Sequence, residues 1–387
     1  MSSYLINTRP RLYTIDFLRG LVLILMALDH TRDFFHSVPD PLNFSHTTAT
    51  LFFTRWITHF CAPTFIFLSG MSAYLYASRP GRTLPQTATF LFARGLWLIF
   101  IAFTLVYAGW SFFLSPYTVL FEVFFVIGVS MVILSFLIYL PIWLIGMISF
   151  TVIALHNLLD TFSAVDFGTL APLWMLLHEE GGFTLHHLHF FVIYPLIPWF
   201  AVMAAGYALA PILNLPEKMR RQIFFCIGCL CLLLFIVIRG TNRYGDLHPW
   251  IVQKNTLFTL MSFLNCTKYP PSLAYLLMTL GLVFLVLSFV SEKFTEYSIP
   301  QKIIVFGRAP FLFYMLHVPL VHFFSLLTIY FYGGNEMLRQ VIITEHGIFN
   351  LPIVYAMWFL VLMLLYYPCL YLADIKSRNS HWALSYI

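Results

Sequence analysis

The sequence predicts an all-α integral membrane protein, a polytopic bundle of about ten transmembrane helices forming one domain over residues 1–387. Three observations predict it. First, 60% of the residues are hydrophobic and only 10% are charged, where a soluble domain carries roughly 25% charged residues. A water-soluble globule could not hide that much apolar surface, so lipid must cover part of it. Second, apolar runs close to the ~20 residues needed to cross a bilayer recur evenly along the chain. Third, Lys and Arg gather on alternate connections between those runs.

The runs are 12–31, 52–76, 92–114, 118–139, 142–158, 188–211, 222–240, 271–291, 309–331 and 350–373. The first follows Arg9 and Arg11, is interrupted by Arg19 and meets no small-residue cleavage site, so it reads as a signal anchor that stays. Pro141 separates the fourth and fifth runs into a tight pair. The run 188–211 is taken as one span, and the short stretch 251–265 as a re-entrant or interfacial piece. Cys226 and Cys229 have metal-type spacing without a second pair or a nearby His, which makes them small buried helix residues. No internal repeat is visible, which weakens a transporter built on paired repeats.

With a cytoplasmic N-terminus, thirteen Lys and Arg fall on the inner side, among them Arg79, Arg82, Arg94 and Arg308, against seven outside. That is the direction of the positive-inside rule, and it places both termini in the cytoplasm. The net charge of +5 follows from this topology. It is no sign of nucleic acid, for which no aromatic-basic motif stands out. The outer connections 32–50, 159–187 and 239–270 are long and polar enough to form a bowl over the bundle. The cluster His178, His186, His187 and His189 lacks a close, regular ligand pattern, so no metal is expected.

The first run carries the chemistry. Ionisable groups inside a span cost about 2.5–3.5 kcal/mol each on insertion scales and face the bundle or a wet cavity. Asp16 and Arg19 are three apart and can neutralise each other near the inner boundary. His30 follows Arg19 by eleven residues, about three turns, so the two share one helix face with a rise of ~16 Å between them. Asp33 lies one turn on and can orient the imidazole or hold it protonated, whereas Asp29 points elsewhere on the helix. The catalytic candidates are therefore His30, Arg19, Asp33 and Asp16.

Other residues have two readings each. Arg79, Arg82, Arg94 and Arg308 either anchor the inner boundary or contact phosphates, to which arginine is suited. His317, beside Tyr314 in the ninth run, is either a satisfied buried histidine or part of the same donor-binding set as Arg94, Arg82 and Arg308. Arg55 and His59, four apart at the outer face, either anchor the interface or line an acceptor bowl. Lys268, Tyr269 and Ser272 lie on that same side around a double proline that fixes the backbone and are acceptor-binding candidates, Lys268 to grip an anionic or hydroxyl-rich acceptor.

Arg19, ten intervening residues and His30 resemble the first-helix motif of bacterial membrane acyltransferases that O-acylate surface glycans, in which the histidine is the catalytic residue. More closely, Asp16-Phe17-Leu18-Arg19-Gly20 resembles the bacterial branch of the heparan-alpha-glucosaminide N-acetyltransferase catalytic-domain family, within the transmembrane acyltransferase superfamily. Further stretches similar to that branch are Thr54-Arg55-Trp56 with Cys61 to Gly70, Tyr194 to Trp199, Thr267 to Leu273, and Gly307 to Phe311 with Tyr314 to Leu320.

The resemblance implies a multi-pass protein of the bacterial inner (plasma) membrane. It implies acetyl-CoA as donor co-substrate, a sugar or glycan amine or hydroxyl as acceptor, and no metal. It leaves self-association into a homo-oligomer open. A contrasting reading is a transporter or exporter of a small metabolite, with Asp16, Arg19 and Glu122 as a polar pathway; a third is a non-catalytic membrane partner.

Overall fold

The computed structural model describes residues 12–112, 117–344, 347–379, 381 and 384; Arg9 and Arg11 of the expected inner cations lie outside the described residues. The protein is an all-α membrane bundle. Helix α1 (Tyr13–Phe35) leads to α2 (Ala49–Trp56), which a short 3-10 turn joins to α3 (Cys61–Ala77). Helix α4 (Leu84–Ile101) passes through a π-helical turn, Ala102–Val106, into α5 (Tyr107–Ser111). Strand β1 (Thr118–Phe121) precedes α6 (Val123–Leu137), α7 (Ile142–Leu155) and α8 (Ala171–Leu177). Strands β2 (Gly181–Leu185) and β3 (Leu188–Val192) lead to α9 (Trp199–Leu209), α10 (Glu217–Thr241) and α11 (Thr256–Leu264). The chain closes with α12 (Leu273–Phe289), α13 (Ser298–Arg308), α14 (Pro310–Thr344) and α15 (Leu351–Arg378).

Local sequence sets the helix starts. The Thr83 hydroxyl accepts from the Gln86 N–H while the Gln86 side chain accepts from the Thr83 N–H, a capping box that opens α4 with Pro85 in its first turn. Thr48, Glu122, Asn255 and Ser272 each accept from a first-turn N–H of α2, α6, α11 and α12. Among the described residues, six helical segments are long and apolar enough to cross a membrane: Ala49–Ala77, Leu84–Ser111, Ile142–Thr161, Glu217–Thr241, Pro310–Arg339 and Leu351–Arg378. Their outward faces present large apolar groups, among them Phe100, Trp143, Leu233 and Tyr367, each more than half exposed and suited to lipid. The 23-residue α1 is long enough as well, but it carries charge and is buried on nearly every side between α3, α13, α14 and α15.

Close packing between helices rests on paired glycines, as membrane bundles favour. A Cβ on Gly70 of α3 would strike the Met203 carbonyl of α9, and one on Gly206 would strike that of Phe67. Gly95 and Gly128 stand in the same relation between α4 and α6, and Gly20 and Gly307 between α1 and α13.

Two expectations are corrected. The run 188–211 is not one span: Leu188–Val192 is β3, and helix begins only at Trp199. The segment Leu188-His189-Phe190-Phe191-Val192 suits a pleated strand, and Pro195 and Pro198 forbid a continuous helix through it. It is the centre of a three-stranded sheet of order β1-β3-β2, parallel to β1 (Thr118 opposite His189) and antiparallel to β2 (Gly181 opposite Val192). Cys226 and Cys229 are not buried: both face outward on α10.

Candidate functional site

One cavity of about 410 Å³ runs between α1, α3, α4, α6 and α14. Arg79, Arg94, Arg308 and Lys376 line one end, with Tyr76 and Phe90 between them; Asp29, His30, Tyr194, Lys268 and Tyr314 line the other; Arg19, Ser69 and Ser72 lie between. Among the described residues, six cationic side chains and one carboxylate, Asp29, line its wall. A lining of this kind suits an anionic occupant.

Arg19 is fixed by three elements. Its guanidinium donates to Asp16 Oδ1 at 3.0 Å on α1, to the Gly307 carbonyl at 3.2 Å on α13, and to Ser72 Oγ at 3.1 Å on α3. Asp16 is therefore the ion-pair partner of Arg19. The guanidinium is held as a fixed charge partway along the cavity, on the same wall as His30.

His30 is held by α14 and α5. Its Nδ1 stands 2.8 Å from His317 Nε2, the Trp110 ring meets it edge-on with centroids 4.9 Å apart, and the Tyr314 ring lies at 6.2 Å. The π-helical turn just before α5 is a feature that recurs at functional sites, and here it precedes the short helix that brings Trp110 onto the imidazole. Near Tyr314 lies Glu122, the buried carboxylate that caps α6 and accepts the Phe124 N–H at 2.9 Å.

An ion cluster lies beside His30. Asp29 accepts from Arg32 at 3.0 Å and pairs with Arg55, and Arg32 also donates to Asp33 at 2.5 Å. Asp33 thus bonds Arg32 and not the imidazole; the orienting contact to His30 comes from His317. His317 itself is fully buried behind His30 and does not line the cavity, so it has no access to a donor bound there. Asp29, set aside from the sequence as facing elsewhere, lines the cavity. It lies 100° around the helix from His30, but α1 is enclosed, and the cavity is wider than one residue's arc.

The remaining candidates separate. Arg94 and Arg308 line the cavity, and Arg308 also donates to the Ala373 carbonyl at 3.1 Å. Arg82 does not; it stacks over the Tyr76 ring at 4.5 Å, alongside Arg79 at 5.0 Å. Lys268 lines the cavity over the Tyr269 ring, and Tyr269 reaches the lining Tyr194 through a 3.4 Å hydroxyl contact. Ser272 is buried, caps α12 and donates to Asp246 at 2.7 Å, which makes it structural. Arg55 stands behind Asp29, and His59 is fully buried away from the cavity, so neither touches an occupant directly.

Among the outer histidines, His178 pairs with Asp160 at 2.9 Å and His189 meets the Thr184 hydroxyl at 3.1 Å. Among the described residues no group of three or more His, Cys, Asp or Glu side chains converges as metal ligands would.

A family model described as "Heparan-alpha-glucosaminide N-acetyltransferase, catalytic" matches residues 11–225, more than half of the chain. Arg19, His30 and Arg94 lie inside that stretch; Lys268, Arg308 and His317 lie beyond it. No curated protein matches the chain.

Proposed function

The chain belongs to the heparan-alpha-glucosaminide N-acetyltransferase catalytic family, and from that premise we propose that it transfers an acetyl group from acetyl-CoA to a sugar or glycan amine or hydroxyl through the cavity beside α1. Membrane acetyltransferase activity is what the family carries. The finer reading rests on one observation: a single cavity is lined at one end by Arg79, Arg94, Arg308 and Lys376 and at the other by His30.

The four cations suit the phosphates of CoA, with the flat Tyr76 and Phe90 rings, stacked at 3.9 Å, beside them. Extended pantetheine spans on the order of 15–20 Å, close to the ~16 Å rise from Arg19 to His30. The thioester then meets the imidazole, while Lys268 and Tyr194 border the space left for the acceptor. The excess of Lys and Arg at the Arg79 end supports a cytoplasmic side for that end under the positive-inside rule. The acceptor therefore reacts on the far side of the plasma membrane.

In the reaction, His30 takes the proton of the acceptor N–H or O–H as that atom attacks the thioester carbonyl carbon. The C–S bond breaks, and the departing thiolate recovers the proton from His30 to give free CoA.

Purified protein in lipid nanodiscs with labelled acetyl-CoA and an amino-sugar acceptor tests this. Wild type should consume the thioester and His30→Ala should not; equal consumption by both overturns the role of His30. A metabolite exporter would instead show flux without thioester cleavage and no affinity for CoA.

A further inference from the structure

The proton positions at the His30–His317 contact follow from what stands behind it. His317 Nδ1 lies 2.8 Å from the Tyr314 carbonyl oxygen and 3.0 Å from that of Phe313. A carbonyl oxygen only accepts, so Nδ1 bears the hydrogen. A second proton on this ring would leave a cation fully buried with no carboxylate bonded to it, so Nε2 keeps its lone pair. That lone pair faces His30 Nδ1 at 2.8 Å. The ring planes are 17° from parallel with centroids 5.0 Å apart, and nitrogens only 2.8 Å apart are too close for a face-to-face stack, so the contact is an end-to-end hydrogen bond. His30 Nδ1 must therefore donate, and its other nitrogen, Nε2, is left as a bare acceptor.

We propose that His317 is a positioning residue: it locks the His30 hydrogen on Nδ1 and makes Nε2 the atom that removes the acceptor's proton. This rests on the reading of His30 as the general base. In the step above, the acceptor's proton goes to Nε2, the new bond to the carbonyl carbon forms, the C–S bond breaks, and the proton passes from Nε2 to the thiolate. The Nδ1 hydrogen stays in place throughout. While His30 is doubly protonated, its charge is shared along Nδ1–H to His317 Nε2, and the His317 Nδ1–H rests on the two α14 carbonyls. A buried carboxylate usually has this orienting place behind a catalytic imidazole. Here the nearby carboxylate, Asp29, is already bonded to Arg32 and Arg55. The other charges acting on His30 are Lys268 and Arg55. Trp110 and Tyr314 pack on it as neutral rings.

The experiment uses the full chain in nanodiscs with 15N-labelled histidine, the His30 signals being assigned by their loss in His30→Gln. Wild type should show a protonated, pyrrole-type Nδ1 and an unprotonated Nε2 on His30. His317→Leu, which removes the acceptor, should lose that fixed tautomer, lower kcat by about 10²-fold and shift its pH profile, with KM for acetyl-CoA unchanged. His317→Gln places an amide oxygen where Nε2 stood and should keep the tautomer and most of the rate.

A His30 protonated on Nε2 in the wild type overturns the proposal, as does a His317→Leu protein with the wild-type tautomer, kcat and pH profile. Should His317→Leu not fold, the wild-type spectrum and the Gln variant decide alone. A fixed Nδ1 hydrogen in a wild type that cleaves no thioester sinks the transferase reading and leaves the tautomer assignment standing.

Discussion

The Arg19 guanidinium donates to the backbone carbonyl of Gly307 at 3.2 Å, across the point where α1 and α13 run closest. The contact exists because neither Gly20 nor Gly307 has a side chain: a Cβ on Gly307 would strike the Asp16 carbonyl, and one on Gly20 that of Ile303. The charge in the middle of the cavity is thus positioned by the absence of two methyl groups.

Gly307→Ala should accordingly push α13 away from α1. Backbone, not a flexible side chain, is the obstacle, so the cost is that of overpacking, about 1–3 kcal/mol. Thermal unfolding in nanodiscs should move to lower temperature, and turnover should fall further than the stability loss accounts for, because Arg19 moves with its acceptor. Unchanged melting would mean that the helices do not approach this closely.

At the Arg79 end, Arg94→Gln and Arg308→Gln should each weaken CoA binding. A hydrogen bond to a charged group contributes about 1.5–3 kcal/mol, roughly a tenfold rise or more in KM for the thioester. The chemical step at His30 should be spared. CoA itself should raise the melting temperature of the wild type, since a ligand at a hundred times its Kd adds about 2.7 kcal/mol to a fold that alone binds it. In the two variants that shift should shrink; an equal shift in all three proteins would remove these cations from the donor site.

Asp29→Asn leaves Arg55 and Arg32 facing each other with no full charge between them. Breaking a buried ion pair from one side costs about 3–5 kcal/mol. The double variant Asp29→Asn with Arg55→Met should regain part of that loss, and a double-mutant cycle on thermal or denaturant unfolding measures it. Strict additivity of the two changes would mean that the pair is not coupled.

Stability should also fall in mild acid through His36, which follows the end of α1. Burial, with the Arg32 guanidinium second, pushes this imidazole below its ordinary 6.5, and its Nδ1 accepts the Val38 N–H at 3.0 Å. The fold therefore prefers the neutral ring, while the unfolded chain takes up a proton near 6.5. The contribution is complete above 6.5 and is lost as the pH falls from there through the lowered folded value. His36→Asn keeps an acceptor for Val38 and cannot titrate, so its melting temperature should fall less than that of the wild type between about pH 7.5 and about pH 5.5. Parallel curves would assign the acid loss to other groups.

Relations within one helix could be read from the sequence and relations between helices could not. Arg19 and His30 fall on one cavity wall because eleven residues make about three turns, a property of α1 alone. The layer of Arg79, Arg94 and Arg308 was likewise visible as charge beside apolar runs. The sequence groups His317, well inside the ninth run, with Arg308 at the entry to that run, yet it meets a residue 287 positions away. Only the docking of α14 on α1 brings that about. Asp33, one turn from His30, is the natural local partner, but the long Arg32 side chain takes it instead, an exception within one helix that spacing does not show. The β1-β3-β2 sheet was hidden for a related reason: hydropathy scores Leu188–Val192 the same whether it forms a strand or the start of a span.

The charge along the cavity wall has a consequence for the cell that houses the protein. Any wet passage between helices threatens the proton and sodium gradients on which an energised membrane depends. If the cavity holds the anionic donor proposed above, the cationic residues that line it among the described residues would also raise an electrostatic barrier to such ions, so the donor site itself would keep this opening from acting as an uncoupler.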